Sequence, residues 1–161
     1  MTISQFNECV DKYADSLYRF ILKNIRDEHK ARDIIQDSFE KLWVKVDTVM
    51  YEKSKSYLFT TAYHTMIDTI RRDKRSTVFD SINPENYSHT EQFSDINEVL
   101  HHAINRLPEI QRSVLLLRDY EGYAYDEIGE ITELTESQVK VYIFRARKFL
   151  KNYIVSLENV I

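Results

Sequence analysis

The segment YDEIGEITELTESQVKVYIFRARKFL, residues 125–150, decides the fold class of this chain. Its apolar spacing predicts a helix over residues 125–132 and a second helix over residues 136–153. At 100° per residue, Val139 and Ile143 fall on one side of the second helix, with polar and basic side chains opposite. A short helix, a tight turn and a basic helix are typical of a helix-turn-helix, whose second helix enters the major groove of DNA.

The polar side of that second helix carries residue types that contact base edges and phosphates. Five basic residues and no acid occur between residues 137 and 151, whereas residues 119–136 contain seven acids and no basic residue. Because the acidic segment offsets these basic residues, the net charge of the chain does not reveal the cationic helix. A solvated basic face on a small bundle is the alternative interpretation. The candidate DNA-reading residues are Ser137, Gln138, Lys140, Val141, Phe144, Arg145 and Lys148.

Composition supports an all-α fold built from helices with short polar connections. The 161 residues include only 2 Gly and 2 Pro, too few for the many tight turns of a sandwich or barrel. One cysteine excludes an intrachain disulfide and a Cys-based zinc site. The chain has no secretory signal pattern and no apolar run long enough to span a membrane, so we expect a cytoplasmic protein.

Charge divides the chain into three unlike parts, although the net charge is only −4. Residues 76–100 contain five acids and no basic residue, while residues 1–75 are slightly basic. We predict two small helical domains, residues 1–76 and 98–161, joined by an acidic linker over residues 77–97. A long ordered loop within one domain is the alternative.

The N-terminal part contains three helical patterns, the second with Asp27 as its N-cap. This second pattern has an acidic stripe, formed by four polar residues at i, i+3, i+4 and i+7. Acids on one stripe repel each other, so the stripe suits a cationic partner better than it suits stability. A solvated charged face is the simpler alternative. The stripe consists of Asp33, Gln36, Asp37 and Glu40.

The third pattern places His64, Asp68, Arg71 and Arg75 on one face and ends in RRDKR, residues 71–75. Four positive charges in five residues attract a phosphate backbone. They also complement the dipole at the end of a helix, which is the alternative explanation. A polar loop, residues 47–56, precedes this third helix.

Three segments in order resemble the extracytoplasmic-function (ECF) group of bacterial RNA polymerase sigma factors. The stretch ARDIIQDSF, residues 31–39, continuing to Leu42 and Trp43, is similar to the family's core-binding segment. Residues 57–72 are similar to its segment for the minus-ten promoter element. Leu107-Pro108, with the helix-turn-helix after it, is similar to its domain for the minus-thirty-five element. The resemblance covers nearly the whole chain.

The resemblance implies a role for each polar face. The acidic stripe would contact core polymerase, and the basic helix of the helix-turn-helix would read the minus-thirty-five element. The minus-ten region would meet Tyr51, Lys53, His64, Asp68, Arg71, Arg72, Lys74 and Arg75. Tyr51 is our hypothesis for the ring that stacks on a flipped base. The family resemblance also implies an anti-sigma factor as a partner. We expect no direct membrane insertion, because the sequence has no apolar run long enough to span a membrane.

Two departures from the family pattern limit what is carried over. Tyr63 and His64 stand where the family commonly has Arg-Asn, so the minus-ten preference is not transferable. Glu133 stands where the turn usually has Gly, and a left-handed backbone there would cost roughly 1–2 kcal/mol.

Two other function classes compete with this interpretation. A helix-turn-helix regulator that acts without polymerase is the nearest, but it leaves the acidic stripe and Trp43 unexplained. An enzyme would need a site, and the only candidate is His64 and Asp68 with His101 and His102, which lack a third ligand at suitable spacing. The chain also has no Gly-rich phosphate loop and no nucleophile motif. We therefore expect no catalysis, no cofactor and no metal.

Overall fold

The computed structural model describes residues 1–79 and 96–158, and these residues form helices and no strands. The first unit contains three helices and the second contains four. The predicted linker falls mostly on residues 80–95, which lie outside the described part of the chain. The helices are α1 (Ile3–Ile25), α2 (Glu28–Val44), α3 (Ser54–Phe79), α4 (Ile96–Arg106), α5 (Glu109–Leu115), α6 (Tyr125–Thr132) and α7 (Glu136–Glu158).

Local hydrogen bonds determine where the first helices begin. The Gln5 amide donates to Thr2 Oγ1 at 3.1 Å, and the Thr2 amide donates to Gln5 Oε1 at 2.9 Å, which forms a capping box for α1. The predicted cap of α2 is confirmed, because Asp27 Oδ1 accepts a hydrogen bond from the Lys30 amide at 3.1 Å. Between α1 and α2, Arg26 adopts a left-handed conformation with φ 56°.

The loop predicted over residues 47–56 is shorter than the sequence suggested. A 3₁₀ turn over Tyr51–Lys53 leads directly into α3, which begins at Ser54. Ser54 is buried, and its hydroxyl donates to the Tyr51 carbonyl at 2.6 Å. This bond gives the buried Ser54 hydroxyl a partner, and α3 begins at this residue, before its apolar pattern starts.

The helix-turn-helix prediction is confirmed. Helix α6 has the predicted limits, and α7 continues past the predicted end. Gly129 is buried at the closest approach of the turn, where an added Cβ would lie 2.7 Å from the Leu134 carbonyl oxygen. Only glycine allows that approach without a shift of the backbone.

The two units pack against each other through α1 and α3 on one side and the α5–α6 region on the other. Phe59 of α3 is fully buried, with ring centroids 5.8 Å from Phe20 and 5.3 Å from Tyr123. Arg19 binds Glu121 through two hydrogen bonds of 3.1 and 3.0 Å. We call these residues the interdomain contact.

A buried polar group completes the interdomain contact. Asn24 is 4 % exposed, and its Oδ1 accepts from Arg112 Nε at 3.2 Å and from Ser113 Oγ at 3.1 Å. Its own Nδ2 donates to the Phe20 carbonyl at 2.8 Å. Because an unpaired amide would be costly there, this network specifies how the two units meet.

Candidate nucleic-acid and protein interfaces

The acidic stripe lies on the side of α2 that faces away from the core. Asp33, Gln36 and Glu40 are exposed, and Asp37 is half-buried. Lys41 Nζ lies 2.9 Å from Asp37 Oδ2, and Gln36 Nε2 donates to Glu40 Oε1 at 3.3 Å. These contacts stay within the helix, so the carboxylates remain open to an external partner.

The basic end of α3 forms a second exposed surface. Its charged residues project from the helix end, while Met66 and Ile67 of the same helix are buried. His64 is half-exposed, and its Nε2 lies 3.7 Å from Glu133 Oε1 in the second unit. The exposed residues of this surface are Asp68, Arg71, Arg72, Lys74 and Arg75.

The turn before α3 holds the residue proposed to stack on a base. Tyr51 is half-buried and packs against the core, while Lys53 is exposed. A hydrogen bond to the Glu8 carboxylate raises the pKa of Tyr51 to about 12, so the phenol keeps its proton near neutral pH. Met50, beside it, is 62 % exposed and offers a further apolar surface.

The predicted DNA-reading residues of α7 are all exposed, opposite the buried Val139, Ile143 and Ala146. Phe144 is 67 % exposed and Val141 is 45 % exposed, an arrangement that suits contact with thymine methyl groups. The exposed set is Ser137, Gln138, Lys140, Val141, Phe144, Arg145 and Lys148.

Two of these residues also make local contacts that the sequence reasoning missed. Gln138 Oε1 accepts from the Thr135 amide at 2.9 Å, and Thr135 Oγ1 accepts from the Gln138 amide at 3.2 Å. The signal was present as Thr135-x-x-Gln138, a capping box at the start of α7. Lys140 Nζ lies 3.3 Å from Glu136 Oε1. Gln138 therefore has its amide nitrogen, rather than its oxygen, available for a base.

Arg147 does not lie with the DNA-reading side chains, although it stands between Arg145 and Lys148 in the sequence. Its guanidinium makes two hydrogen bonds to the Asp119 carboxylate, which raise its pKa. Asp119 belongs to a π-helical turn, Leu116–Tyr120, that follows α5. The ion pair between Arg147 and Asp119 therefore connects α7 to the turn that follows α5.

Tyr123 has a buried hydroxyl that lacks a hydrogen-bond partner among the described residues. The residue is 3 % exposed at the interdomain contact. Burial raises the pKa of its phenol, with the nearby carboxylates of Glu127 and Glu121 acting in the same direction. Lys55 Nζ lies 4.5 Å from its ring centroid. An unpartnered hydroxyl weakens the contact that buries it.

The turn of the helix-turn-helix contains the left-handed residue that the sequence raised as a possibility. Glu133 has φ 60° and ψ 38°, and its amide donates to the Gly129 carbonyl as the C-cap of α6. A non-glycine residue in this conformation carries a steric cost that glycine does not.

We expect Glu133→Gly to raise the free energy of unfolding by about 0.5–1 kcal/mol, because relief of the left-handed strain exceeds the added entropy of the unfolded chain. Thermal denaturation followed by circular dichroism should show a melting temperature about 1–4 °C higher. Glu130→Gly, on the exposed interior of α6, is the matched control and should be destabilising. A lower melting temperature for the Glu133 variant would contradict the strain argument.

The metal-site alternative gains no support from the described residues, because no three His, Cys, Asp or Glu side chains in them form a metal-binding group. His64 faces Glu133, whereas the His102 ring lies 6.2 Å from that of Tyr153. Within residues 1–79 and 96–158, no helix is long and apolar enough to cross a membrane.

Two family descriptions match the chain in sequence order. Residues 9–76 match "Sigma-70 region 2" and residues 97–150 match "Sigma-70, region 4". The first range contains α2, the 3₁₀ turn and most of α3, and the second contains the helix-turn-helix. The acidic stripe and the basic surfaces therefore fall inside the matched ranges.

Curated relatives agree with these matches over nearly the full length. The chain is 29 % identical to the ECF RNA polymerase sigma factor SigM of Bacillus subtilis over 150 residues, covering 90 % of this chain and 92 % of that protein. It is also 29 % identical to the RNA polymerase sigma factor SigV of the same organism, covering 89 % and 87 %.

Two solved structures share the fold. One is the sigma factor RpoE in complex with the anti-sigma factor NepR from Bartonella quintana, with a TM-score of 0.77 and 23 % identity, covering 94 % of this chain and 98 % of that chain. The other is CnrH in complex with the cytosolic domain of CnrY, with a TM-score of 0.69 and 18 % identity, covering 94 % and 88 %.

Proposed function

Because this chain belongs to the sigma-70 family and to its ECF group, we propose that its three exposed surfaces divide the work of a promoter-specific initiation factor between polymerase and DNA. The family binds core RNA polymerase and directs initiation, which sets the chain apart from a regulator that acts alone. The observation that carries the proposal is that one chain holds both matched regions in order, each with its charged surface exposed.

The acidic stripe is the proposed polymerase-binding surface. Asp33, Gln36, Asp37 and Glu40 project from one rigid helix, so a basic partner can meet them without reorganising the chain. Electrostatic complementarity of this kind speeds association and selects the partner.

The basic end of α3 and the turn before it are the proposed minus-ten surface. Arg71, Arg72, Lys74 and Arg75 offer charges to the phosphate backbone, while His64 and Asp68 lie on the same helix nearer the turn. Tyr51 and Lys53 supply a ring and a charge beside the path of an unpaired base.

Helix α7 is the proposed reader of the minus-thirty-five element. Its exposed face joins two apolar side chains, Val141 and Phe144, to the polar residues Arg145, Lys148 and Gln138. Such a mixture allows base-edge and phosphate contacts from a single helix in the major groove.

The closed arrangement of the two units is incompatible with binding both promoter elements at once. The element names place their centres about 25 base pairs apart, about 85 Å at 3.4 Å per base pair. The two surfaces meet where His64 contacts Glu133. At 1.5 Å per residue, the minus-ten surface extends from this contact for about 17 Å to Arg75, and the minus-thirty-five surface extends for about 22 Å to Lys148. Together these lengths fall well short of the separation of the two elements. We infer that the interdomain contact opens when the chain engages polymerase and promoter.

The experiment that tests the proposed function is in vitro transcription with purified core polymerase, with and without the chain. We expect start sites that appear only when the chain is present. Tight binding of the isolated chain to a promoter duplex, together with no effect on core polymerase, would contradict the proposal.

We expect Tyr51→Ala to reduce promoter opening by about fivefold to a hundredfold, because the chain loses a stacking surface for an unpaired base. Permanganate reactivity of the minus-ten thymines in the complex with polymerase measures this opening. Tyr51→Phe loses only the hydrogen bond to Glu8 and keeps the ring. Promoter opening by this variant should therefore stay close to that of the wild type. Unchanged opening by the alanine variant would exclude Tyr51 as the stacking residue.

Two further parts of the proposal concern partners and catalysis. One of the solved structures of similar fold contains the sigma factor RpoE bound to the anti-sigma factor NepR, and the other contains CnrH bound to the cytosolic domain of CnrY. We propose that an anti-sigma factor also binds this chain, covering surfaces that polymerase or DNA would otherwise use. We also propose that the chain itself performs no catalysis and that polymerase carries out the chemistry.

A further inference from the structure

A small cavity lies between the two units, where the end of α1 meets α4. Its volume is about 220 Å³. Pockets for drug-sized ligands are larger, roughly 300–1,000 Å³, so this cavity suits a small ion or a single charged group. We call it the seam cavity, and its lining residues are Leu22, Lys23 and Arg26 of the first unit and His101, Ile104 and Asn105 of the second.

Three basic side chains line the seam cavity, and the described residues contribute no carboxylate to its wall. Lys23 and Arg26 come from the first unit and His101 comes from the second, so positive groups of both units meet there. The acid that acts on Lys23 is Glu121, which is already bonded to Arg19 by two hydrogen bonds. The seam cavity therefore has an excess of positive charge.

Contacts between the two units hold two of these basic side chains in place. Arg26 Nε donates to Asn105 Oδ1 at 2.8 Å, and Lys23 Nζ lies 3.5 Å from the centroid of the Tyr120 ring. A guanidinium has several N–H donors, so the bond through Nε leaves others for a further acceptor. Because these contacts already restrict both side chains, an anion that enters the cavity causes little reorganisation.

The charges around the seam cavity disfavour the protonated form of His101. Burial lowers the pKa of its imidazole, and the charges of Lys23 and Arg26 act in the same direction. The pKa of Lys23 is also lowered, by burial and by Arg19. An anion among these groups has the opposite effect, because a negative charge favours every cationic form near it.

We propose that the seam cavity binds a tetrahedral oxyanion, a free phosphate or the phosphoryl group of a small metabolite, and that this anion stabilises the closed arrangement of the two units. Lys23 and Arg26 hold it from the first unit and His101 holds it from the second. Donors placed around a cavity need an acceptor whose oxygens point in several directions, as those of phosphate do and those of a planar carboxylate do not.

Occupancy of the seam cavity opposes the opening that binding of both promoter elements requires. Separation of the units removes one side of the site, so an anion that binds only the closed arrangement shifts the equilibrium toward it. Binding of the anion does not depend on the proposed function. Only its consequence for transcription rests on that function, so binding without any effect on transcription would count against the function and not against the site.

The first test is an NMR titration of the full chain with inorganic phosphate and with phenyl phosphate, each replacing chloride at constant ionic strength. The imidazole signals of His101 should shift and saturate. Tighter binding of phenyl phosphate identifies an organic phosphate, because Leu22 and Ile104 offer contacts to its carbon atoms. Equal affinity identifies the free ion. A shift that never saturates with either anion would overturn the proposal.

Variants show whether the lining residues hold the anion. Lys23→Gln removes one charged donor and should weaken phosphate binding about tenfold or more. Lys12→Gln is the matched control, since Lys12 lies on the same face of α1, about 17 Å away along the helix, and also contacts a tyrosine ring, that of Tyr13. Its affinity should equal that of the wild type. Equal loss in both variants would mean that the anion senses only overall charge.

Sulfate tests the part of His101, because sulfate keeps its charge where phosphate titrates. We expect sulfate to bind about three- to tenfold more tightly at about pH 6 than at about pH 8, since the bound anion favours the imidazolium. His101→Gln keeps Lys23 and Arg26, the charged groups that act on this imidazole, and should lose the pH dependence. Retention of the full pH dependence in this variant would exclude His101 from the site.

Spin labels at Asp11→Cys and Asp126→Cys, one in each unit, test whether the anion bridges the units. The labels are placed in a Phe59→Leu chain, which weakens the apolar part of the interdomain contact without changing a charge. Its distances should be broader than those of the wild type. Phosphate at ten times its dissociation constant should raise the ratio of closed to open chains about tenfold. Distances that stay broad at saturating phosphate would overturn the bridge.

Discussion

Replacing Asp33 and Asp37 together with lysine is expected to eliminate transcription that depends on this chain. Each change turns an attraction for a basic partner into a repulsion, and like charges placed face to face cost several kcal/mol. A combined loss of about 3–4 kcal/mol lowers the affinity for core polymerase by a factor of about 140–700, since 1.4 kcal/mol is tenfold. The effect should be larger at low salt than at high salt.

The measurement is a titration of core polymerase with labelled chain, read by anisotropy and followed by transcription from a responsive promoter. The double variant Asp11→Lys/Glu98→Lys is the control, because it makes the same charge change at two exposed positions outside the stripe. Both variants should melt close to the wild-type temperature. Equal affinity of the stripe variant and the control would show that the stripe is only a solvated face.

Arg19→Glu is expected to convert the closed arrangement of the two units into an open one. The Glu121 side chain is only 6 % exposed, and its carboxylate binds the Arg19 guanidinium through two hydrogen bonds. A second carboxylate at this position leaves Glu121 buried against a like charge. We expect a cost of about 2–4 kcal/mol, which shifts the equilibrium between the closed and the open arrangement by about 30- to 700-fold.

Distance measurements between spin labels at Asp11→Cys and Asp126→Cys, one in each unit, report on this opening. The Arg19→Glu chain should show longer and broader distances, whereas Arg19→Glu/Glu121→Arg should restore the short distance by reversing the pair. Helix content by circular dichroism should be the same in all three chains. An unchanged distance distribution in the single variant would mean that the apolar part of the contact, around Phe59, holds the units together without the ion pair.

Local patterns predicted the elements because helix periodicity and caps depend on neighbours a few residues apart. The limits of α6, the Asp27 cap and the outward face of α7 all follow from residues within one or two turns. The family resemblance raised a left-handed Glu133, because the family's turn usually has Gly at this position, and Glu133 has φ 60°. The prediction failed at the start of α3, which begins at Ser54, before its apolar pattern, where the Ser54 hydroxyl donates to the Tyr51 carbonyl.

Pairings between distant residues could not be predicted in this way. Arg147 looks like one more basic residue of α7 until Asp119 is found opposite it, 28 positions earlier in the chain. His64 meets Glu133, and Arg19 meets Glu121 across 102 positions. Such contacts depend on the crossing angles and separations of whole helices, about which the spacing within one helix carries no information.

The helical class, the helix-turn-helix and the three charged faces were predictable from residues close in sequence, since each depends on one or two neighbouring helices and their register. The packing of the helices against one another established that the two units share a buried contact around Phe59 and Tyr123. The same packing brings Lys23, Arg26 and His101 to one cavity, because such a cavity forms only where helices of both units meet at a particular distance.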